Sequence, residues 1–207
     1  MRNSVTVLTL LSGFLLAQPS FTAADIATNI GAASSVRAAD MDGDGDIDII
    51  AAAESDDKIY WLENNGAANP SFTLETVATN IDGAWDVFPI DLDQDGDIDI
   101  LSAAHGENKV RWFDNNGNSN PTFTSYDVVS GVDARSLFPG DYDNDGDIDI
   151  LVAAGTNNNI FWLENNGSQS FTTRGSSADD TPRSVFVEDI DSDGDLDIVV
   201  AFYGDDE

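Results

Sequence analysis

The chain has 207 residues, 39 acidic and 8 basic, for a formal net charge of -31. No basic patch offsets that charge, which excludes direct binding to nucleic acid or to an anionic membrane. Cysteine is absent, so neither a disulfide framework nor a thiolate metal site is available.

In chain order, Arg2 precedes an apolar run at 5–17 (VTVLTLLSGFLLA), followed by Gln18 and Pro19. This reads as a secretory leader within residues 1–20, cleaved after Ala17 or after Ala24. The other reading of the run is a buried first strand. It is too short to span a bilayer, and no other stretch is long enough, so no membrane span is expected. The leader implies a protein that is secreted, periplasmic or displayed on the cell surface. FTAADIATNI (21–30) then aligns with FTLETVATNI (72–81), and each begins 19 residues before an acidic loop. The folded part is therefore expected to open on the last strand of a repeating unit.

Four acidic loops come next, at 40–48 (DMDGDGDID), 91–99 (DLDQDGDID), 141–149 (DYDNDGDID) and 189–197 (DIDSDGDLD). Each holds Asp at positions 1, 3, 5, 7 and 9 and Gly at position 6. The candidate metal ligands are Asp40, Asp42, Asp44, Asp46 and Asp48; Asp91, Asp93, Asp95, Asp97 and Asp99; Asp141, Asp143, Asp145, Asp147 and Asp149; and Asp189, Asp191, Asp193, Asp195 and Asp197. Ca²⁺ takes six to eight oxygen ligands, and alternate side chains of a curled loop can converge on one ion. Position 9 closes the cage, while position 7 can act through its carbonyl. Without a cation, so many carboxylates would repel one another. Ca²⁺ is thus the expected cofactor, and in an exported chain without disulfides it would serve as the staple.

An EF-hand loop starts similarly but ends in a bidentate Glu at position 12 between helices. Here position 12 is Ala51, Ser102, Val152 or Val200. Each loop leads into a short apolar, β-branched run such as IDILSAA, which reads as a buried strand. The loops are 51, 50 and 48 residues apart, and four apolar segments recur in each period. One enters the loop (WDVFPID, ARSLFPGD, PRSVFVED), and one leaves it. The third ends in Asn-Gly (KIYWLENNG, KVRWFDNNG, NIFWLENNG), a hairpin-turn signal. The fourth begins with Phe-Thr. Four strands per unit predict an all-β fold, a β-propeller with about three and a half blades present and the ring incomplete, which reads as a fragment of a longer chain. The repeats occupy 21–207, in units near 31–81, 82–132, 133–177 and a truncated 178–207. Trp61, Trp112 and Trp162 recur in the third strand and are expected to pack between blades. His105, the one histidine, reads as ordinary loop polarity.

These residues resemble the FG-GAP/VCBS repeat family, whose members form integrin-α-like β-propellers. The DxDxDGDxDI loop, its apolar exit strand and the W(L/F)(E/D)NNG…(S/T)FT tail carry the resemblance, across roughly 21–203. The family implies seven blades as the usual closure and calcium in the loop between the first two strands. It implies side-chain ligands at positions 1, 3, 5 and 9 and a carbonyl at position 7. The Phe-Gly and Gly-Ala-Pro signatures of the family name are replaced by Val87-Phe88-Pro89 and Leu137-Phe138-Pro139.

The function expected is an exported, calcium-stabilised binding, adhesion or scaffold module whose partners are glycans or extracellular proteins, with no catalytic residue. The alternative is the propeller of a secreted polysaccharide lyase or hydrolase. The acid pairs that could mimic a glycosidase recur in every unit, whereas an active site is needed once.

Overall fold

A computed structural model of the chain describes residues 5–11, 20–156, 158–177 and 180–204. β1 (Val5–Leu11) and β2 (Ser20–Ala27) form an antiparallel pair. Beyond them lie three four-stranded antiparallel sheets. The first is β3 (Ala33–Ala39), β4 (Asp48–Ala53), β5 (Lys58–Asn64) and β6 (Phe72–Thr79). The second is β7 (Ala84–Ile90), β8 (Asp99–Ala104), β9 (Lys109–Asn115) and β10 (Phe123–Ser130). The third is β11 (Ala134–Gly140), β12 (Asp149–Ala154), β13 (Asn159–Asn165) and β14 (Phe171–Ser177). A two-stranded sheet, β15 (Thr181–Glu188) with β16 (Asp197–Tyr203), ends the described chain. The architecture is all-β: three complete propeller blades and a half, in an open arc.

Each first strand packs on the next, β3 on β7, β7 on β11 and β11 on β15, so these strands line the inner wall. Fourth strands meet at the rim, where β10 lies against β14 and β2 against β6. β2 thus stands where the alignment of 21–30 with 72–81 put it. The apolar run read as a leader is in part a strand, β1, and its remainder at 12–17 lies outside the described residues.

The core lies between blades. β4, β8 and β12 start at Asp and then run apolar, and their residues are buried on both faces because another blade covers each side. Ile50 and Ala52 face Val87, Ile100 and Phe113 of the second blade. Leu101 and Ala103 face Leu137, Ile150 and Leu163 of the third. The many alanines at these positions let the sheets approach closely. Trp61 and Trp112 lie in the same clusters, which accounts for their recurrence by packing.

A single carboxylate crosses two of these seams. Asp86 on β7 is 6% exposed. It accepts hydrogen bonds from Ser35 Oγ of the first blade (2.7 Å) and from the Leu137 N–H of the third (3.1 Å). His105, half-buried in the turn after β8, packs edge-on against Trp85, with Nε2 3.3 Å from Glu54 Oε1.

The Asn-Gly segments join the third and fourth strands of each blade as antiparallel hairpins, as their turn signal implies. Asn65 N–H donates to the Ser71 carbonyl, and Asn65 Oδ1 accepts from the N–H groups of Ala67 and Ser71. The loop is therefore wider than two residues and is built around an asparagine side chain. Its glycine has a steric reason. Gly66 has φ +63°, and a Cβ there would sit 1.9 Å from Asp46 Oδ2 of the acidic loop. Gly117 stands in the same relation to Asp97.

Candidate metal centre

Each acidic loop joins the first strand of a blade to the second, and its backbone curls onto its own carboxylates. In the first loop Gly45 N–H donates to Asp40 Oδ2 (3.0 Å), Asp44 N–H to Asp42 Oδ1 (3.2 Å) and Asp46 N–H to Asp44 Oδ1 (2.8 Å). The second loop repeats this with Asp91, Asp93 and Asp95. The position-6 glycines have φ between +93° and +100°, which L-residues rarely adopt. Position 4 is also left-handed, held by Gly43, Gln94, Asn144 and Ser192. Sequence alone does not single it out, because four different residues occupy it.

Carboxylate oxygens approach one another within 4.8 Å in four sets: Asp40, Asp42 and Asp48; Asp91, Asp93 and Asp99; Asp141, Asp143 and Asp145; and Asp189, Asp191 and Asp197. The residues at position 5 of the other loops, Asp44, Asp95 and Asp193, are exposed and outside these sets. Asp149 is outside the third set and buried. The position-7 residues Asp46, Asp97, Asp147 and Asp195 are in none. The side chains of Asp46, Asp97 and Asp147 lie against the glycines of the Asn-Gly turns.

Position 9 does more than close a cage. Asp48, Asp99 and Asp149 are at most 1% exposed. Asp99 Oδ1 accepts from Asn115 N–H (2.8 Å), and its Oδ2 from Leu92 N–H (3.2 Å) and Trp112 Nε1–H (2.9 Å). Asp149 repeats the set with Asn165, Tyr142 and Trp162. The Asn therefore clamps the loop to the third strand in all three blades, and the Trp joins it in the second and third, whereas the Trp61 indole N–H of the first blade has no partner. Asn115 Nδ2 reaches further, to the Met41 carbonyl of the preceding blade's loop (3.0 Å). The sequence held the signal for this clamp, in the fixed Trp-x-x-Asn spacing, but not which groups meet.

Burial raises the Asp99 carboxyl to about 6 against the donors that favour its ionised form. Burial and the charges of neighbouring loop aspartates also raise Asp42 and Asp93. A further carboxylate in the first two blades, missed from sequence, faces the loop from the third strand. Glu63 is raised by burial and by Asp42 and Asp48, and Asp114 by burial and by Asp95. In the third blade Glu164 likewise bears on the loop residue Asp143 and also pairs with Arg174.

A cation fits these residues. Asp40 Oδ1 and Asp91 Oδ1 are shielded from solvent and accept no hydrogen bond, although buried polar atoms are ordinarily paired. The donors are all oxygen, with neither imidazole nor thiolate in the sets, which suits a hard ion such as Ca²⁺. In the third loop the corresponding Asp141 Oδ1 accepts from Asp145 N–H, so the first two loops offer the freer ligand atoms.

The Asp99 shift has a consequence for pH. Its folded-state carboxyl titrates near 6 against 3.8 ordinarily, so between these values the folded state keeps a proton that the unfolded state releases. Without calcium, this group's contribution to stability is lost as pH rises from 4 through 6. Thermal melts in chelator should show the wild type losing ground to Asp99→Asn over that interval. Calcium affinity should fall as pH drops below 6, because the proton competes with the ion.

The FG-GAP-like repeat model matches three times, at 40–102, 91–152 and 141–200, each match running from one acidic loop through the exit strand of the next. The chain belongs to the FG-GAP-like repeat family. No curated protein matches its sequence. Among solved structures, this FG-GAP-like chain is similar to a lectin of Agrocybe aegerita described as specifically recognising non-reducing terminal N-acetylglucosamine. The TM-score is 0.58 at 23% identity, over 87% of this chain and 52% of that one. It is also similar to a chain from the complex of BBS1N with ARL6DN, with a TM-score of 0.55 at 13% identity, over 84% of this chain and 52% of that one. The FG-GAP-like chain thus spans about half the length of the solved chains it matches.

Proposed function

We propose that the chain is an exported, calcium-stabilised propeller module that binds glycans at the rim grooves between blades. The observation that carries this reading is the pair Trp112 and Tyr126, stacked with ring centroids 5.0 Å apart and an interplanar angle of 29°. They line a groove of about 450 Å³ between the second blade and the 168–171 segment of the third, with Asp114, Asp127 and Gln169 beside them. An aromatic face accepts the apolar face of a sugar ring, and the flanking carboxylates and amide accept and donate to hydroxyls. The first blade has a counterpart of about 300 Å³ holding Trp61, Glu75 and Thr122. Likeness to a lectin supports the ligand class. The net charge of -31 speaks against acidic glycans.

The calcium ions would be structural, holding the loops that set the blade edges. Export would place them where calcium is plentiful. The enzyme alternative is disfavoured because the acid sets recur from blade to blade.

Tyr126 is 46% exposed, so Tyr126→Ala should leave the fold intact. It should weaken binding to N-acetylglucosamine-terminated glycans about tenfold or more, the scale of one lost stacking contact plus its buried area. Calorimetric titration with chitooligosaccharides reads this directly. Equal affinity in the variant, or no binding by the wild type across a neutral glycan array, would remove the proposal.

A further inference from the structure

The tryptophan of each third strand faces a different residue of the fourth. Trp61 pairs across the ladder with Glu75, Trp112 with Tyr126 and Trp162 with Arg174. Trp112 stacks on Tyr126, whereas the Arg174 guanidinium lies over the Trp162 ring, 5.5 Å from its centroid. The indole N–H groups differ as well. Those of Trp112 and Trp162 each donate to a position-9 carboxylate at 2.9 Å, Asp99 and Asp149, while that of Trp61 is shielded from solvent without a partner. Among the described residues, only the second blade joins an aromatic pair at the rim to a hydrogen bond into its own acidic loop.

That bond makes one side chain part of two sites. The Trp112 N–H is held by Asp99, and the Trp112 ring backs Tyr126 in the groove of about 450 Å³. Asp93 is shared too. A carboxylate oxygen of Asp93 lies within 4.8 Å of one from Asp91 and one from Asp99, and the same residue lines the groove beside Asp114. The groove's carboxylates are unequally compensated. Asp127 has Lys109 Nζ at 2.6 Å and Arg111 Nε at 3.6 Å. Asp93 and Asp114 enter no ion pair among the described residues, and each adds to the negative charge where loop and groove meet. The first-blade groove has neither link: Trp61 makes no bond to its loop, and no acidic-loop residue lines that groove.

We propose that a divalent cation in the second acidic loop sets the aromatic floor of the second rim groove, so that cation and glycan strengthen each other's binding there. The ligand class rests on the glycan reading above; the link between loop and groove rests on Asp93, Asp99 and Trp112 alone. With a cation in the loop, the repulsion at Asp93 and Asp114 falls and the Asp99 carboxylate is held in one place. The Asp99–Trp112 bond carries that order to the indole, and the stacked ring carries it to Tyr126. Two ligands that order the same side chains bind cooperatively, and the coupling is reciprocal.

The probes are Ca²⁺ and chitotriose, used on the full chain. In two-dimensional NMR, the indole N–H signal lost in Trp112→Phe identifies Trp112. On titration with Ca²⁺ it should move together with the Tyr126 ring signals, at one midpoint. Asp91→Ala should abolish both movements and spare that of the Trp162 indole. The chitotriose binding that Tyr126→Ala removes should be about fivefold or more tighter in saturating Ca²⁺ than in EDTA, and saturating chitotriose should tighten Ca²⁺ by the same factor. Trp112→Phe keeps a ring but no N–H, and should bring that factor towards one. A merely structural tryptophan would weaken both states and keep the factor. Equal chitotriose affinity with and without bound Ca²⁺ overturns the coupling and leaves the glycan reading standing. Absence of chitotriose binding, with Trp112 and Tyr126 still answering to Ca²⁺, removes the glycan reading and upholds the link. A Trp112 signal that ignores Ca²⁺, or that still moves in Asp91→Ala, overturns the proposal.

Discussion

Removing calcium with EDTA should lower the melting temperature by about 5–10 °C for every loop that binds, and restoring calcium should reverse the fall. A ligand at 100 times its Kd adds about 2.7 kcal/mol to the folded state for each site, and 1 kcal/mol shifts the melt by about 2–4 °C in a domain of this size. The first two loops should account for most of the effect, because Asp40 Oδ1 and Asp91 Oδ1 are the buried acceptors that lack a donor. Asp91→Ala should remove one share of the shift and one equivalent of calcium in a calorimetric titration. A melt unmoved by EDTA would end the structural-calcium reading.

Asp99→Ala should be the most damaging single loop substitution even in chelator, where no cation is at stake. It strands the N–H groups of Leu92 and Asn115 and the Trp112 indole N–H in a buried site. Each unpaired buried donor costs about 1–3 kcal/mol, so the total should exceed about 3 kcal/mol. Asp99→Asn restores only part, because an amide cannot offer acceptor oxygens to both sides. Asp95→Ala is the control, since Asp95 is exposed and holds only the loop's own Asp97 N–H. Urea unfolding in EDTA separates the two. Equal losses would show that the position-9 clamp contributes nothing beyond metal binding.

The fold was legible because its signals are local and repeated. An apolar run after DGDID can bury both faces only between sheets, and the Trp-x-x-Asn and Phe-Thr segments fix the strand count. The loops were legible as acidic turns with a glycine at the left-handed position 6. What sequence could not supply were contacts between segments tens of residues apart. The Trp112 indole and the Asn115 N–H meet Asp99 only after β8 and β9 pair. The third-strand carboxylates Glu63 and Asp114 were not singled out, because nothing in their spacing shows that they lean over a loop. Asn-Gly marked the hairpin, but not its width, because the bonds that set the width come from the Asn65 side chain. Val5–Leu11 has the apolarity of a leader and pairs with β2 as a strand, and apolarity is common to both.

Asp86 gives the arc a direction. At the matching place the neighbouring blades carry Ser35, Ser136 and Ser184, each with a short hydroxyl reach. Only the second blade carries a carboxylate long enough to hold the wall before it and the wall after it. The modules are therefore alike in outline yet not exchangeable. Shuffling their order, or grafting one in place of another, would move the keystone away from the two stones it spans.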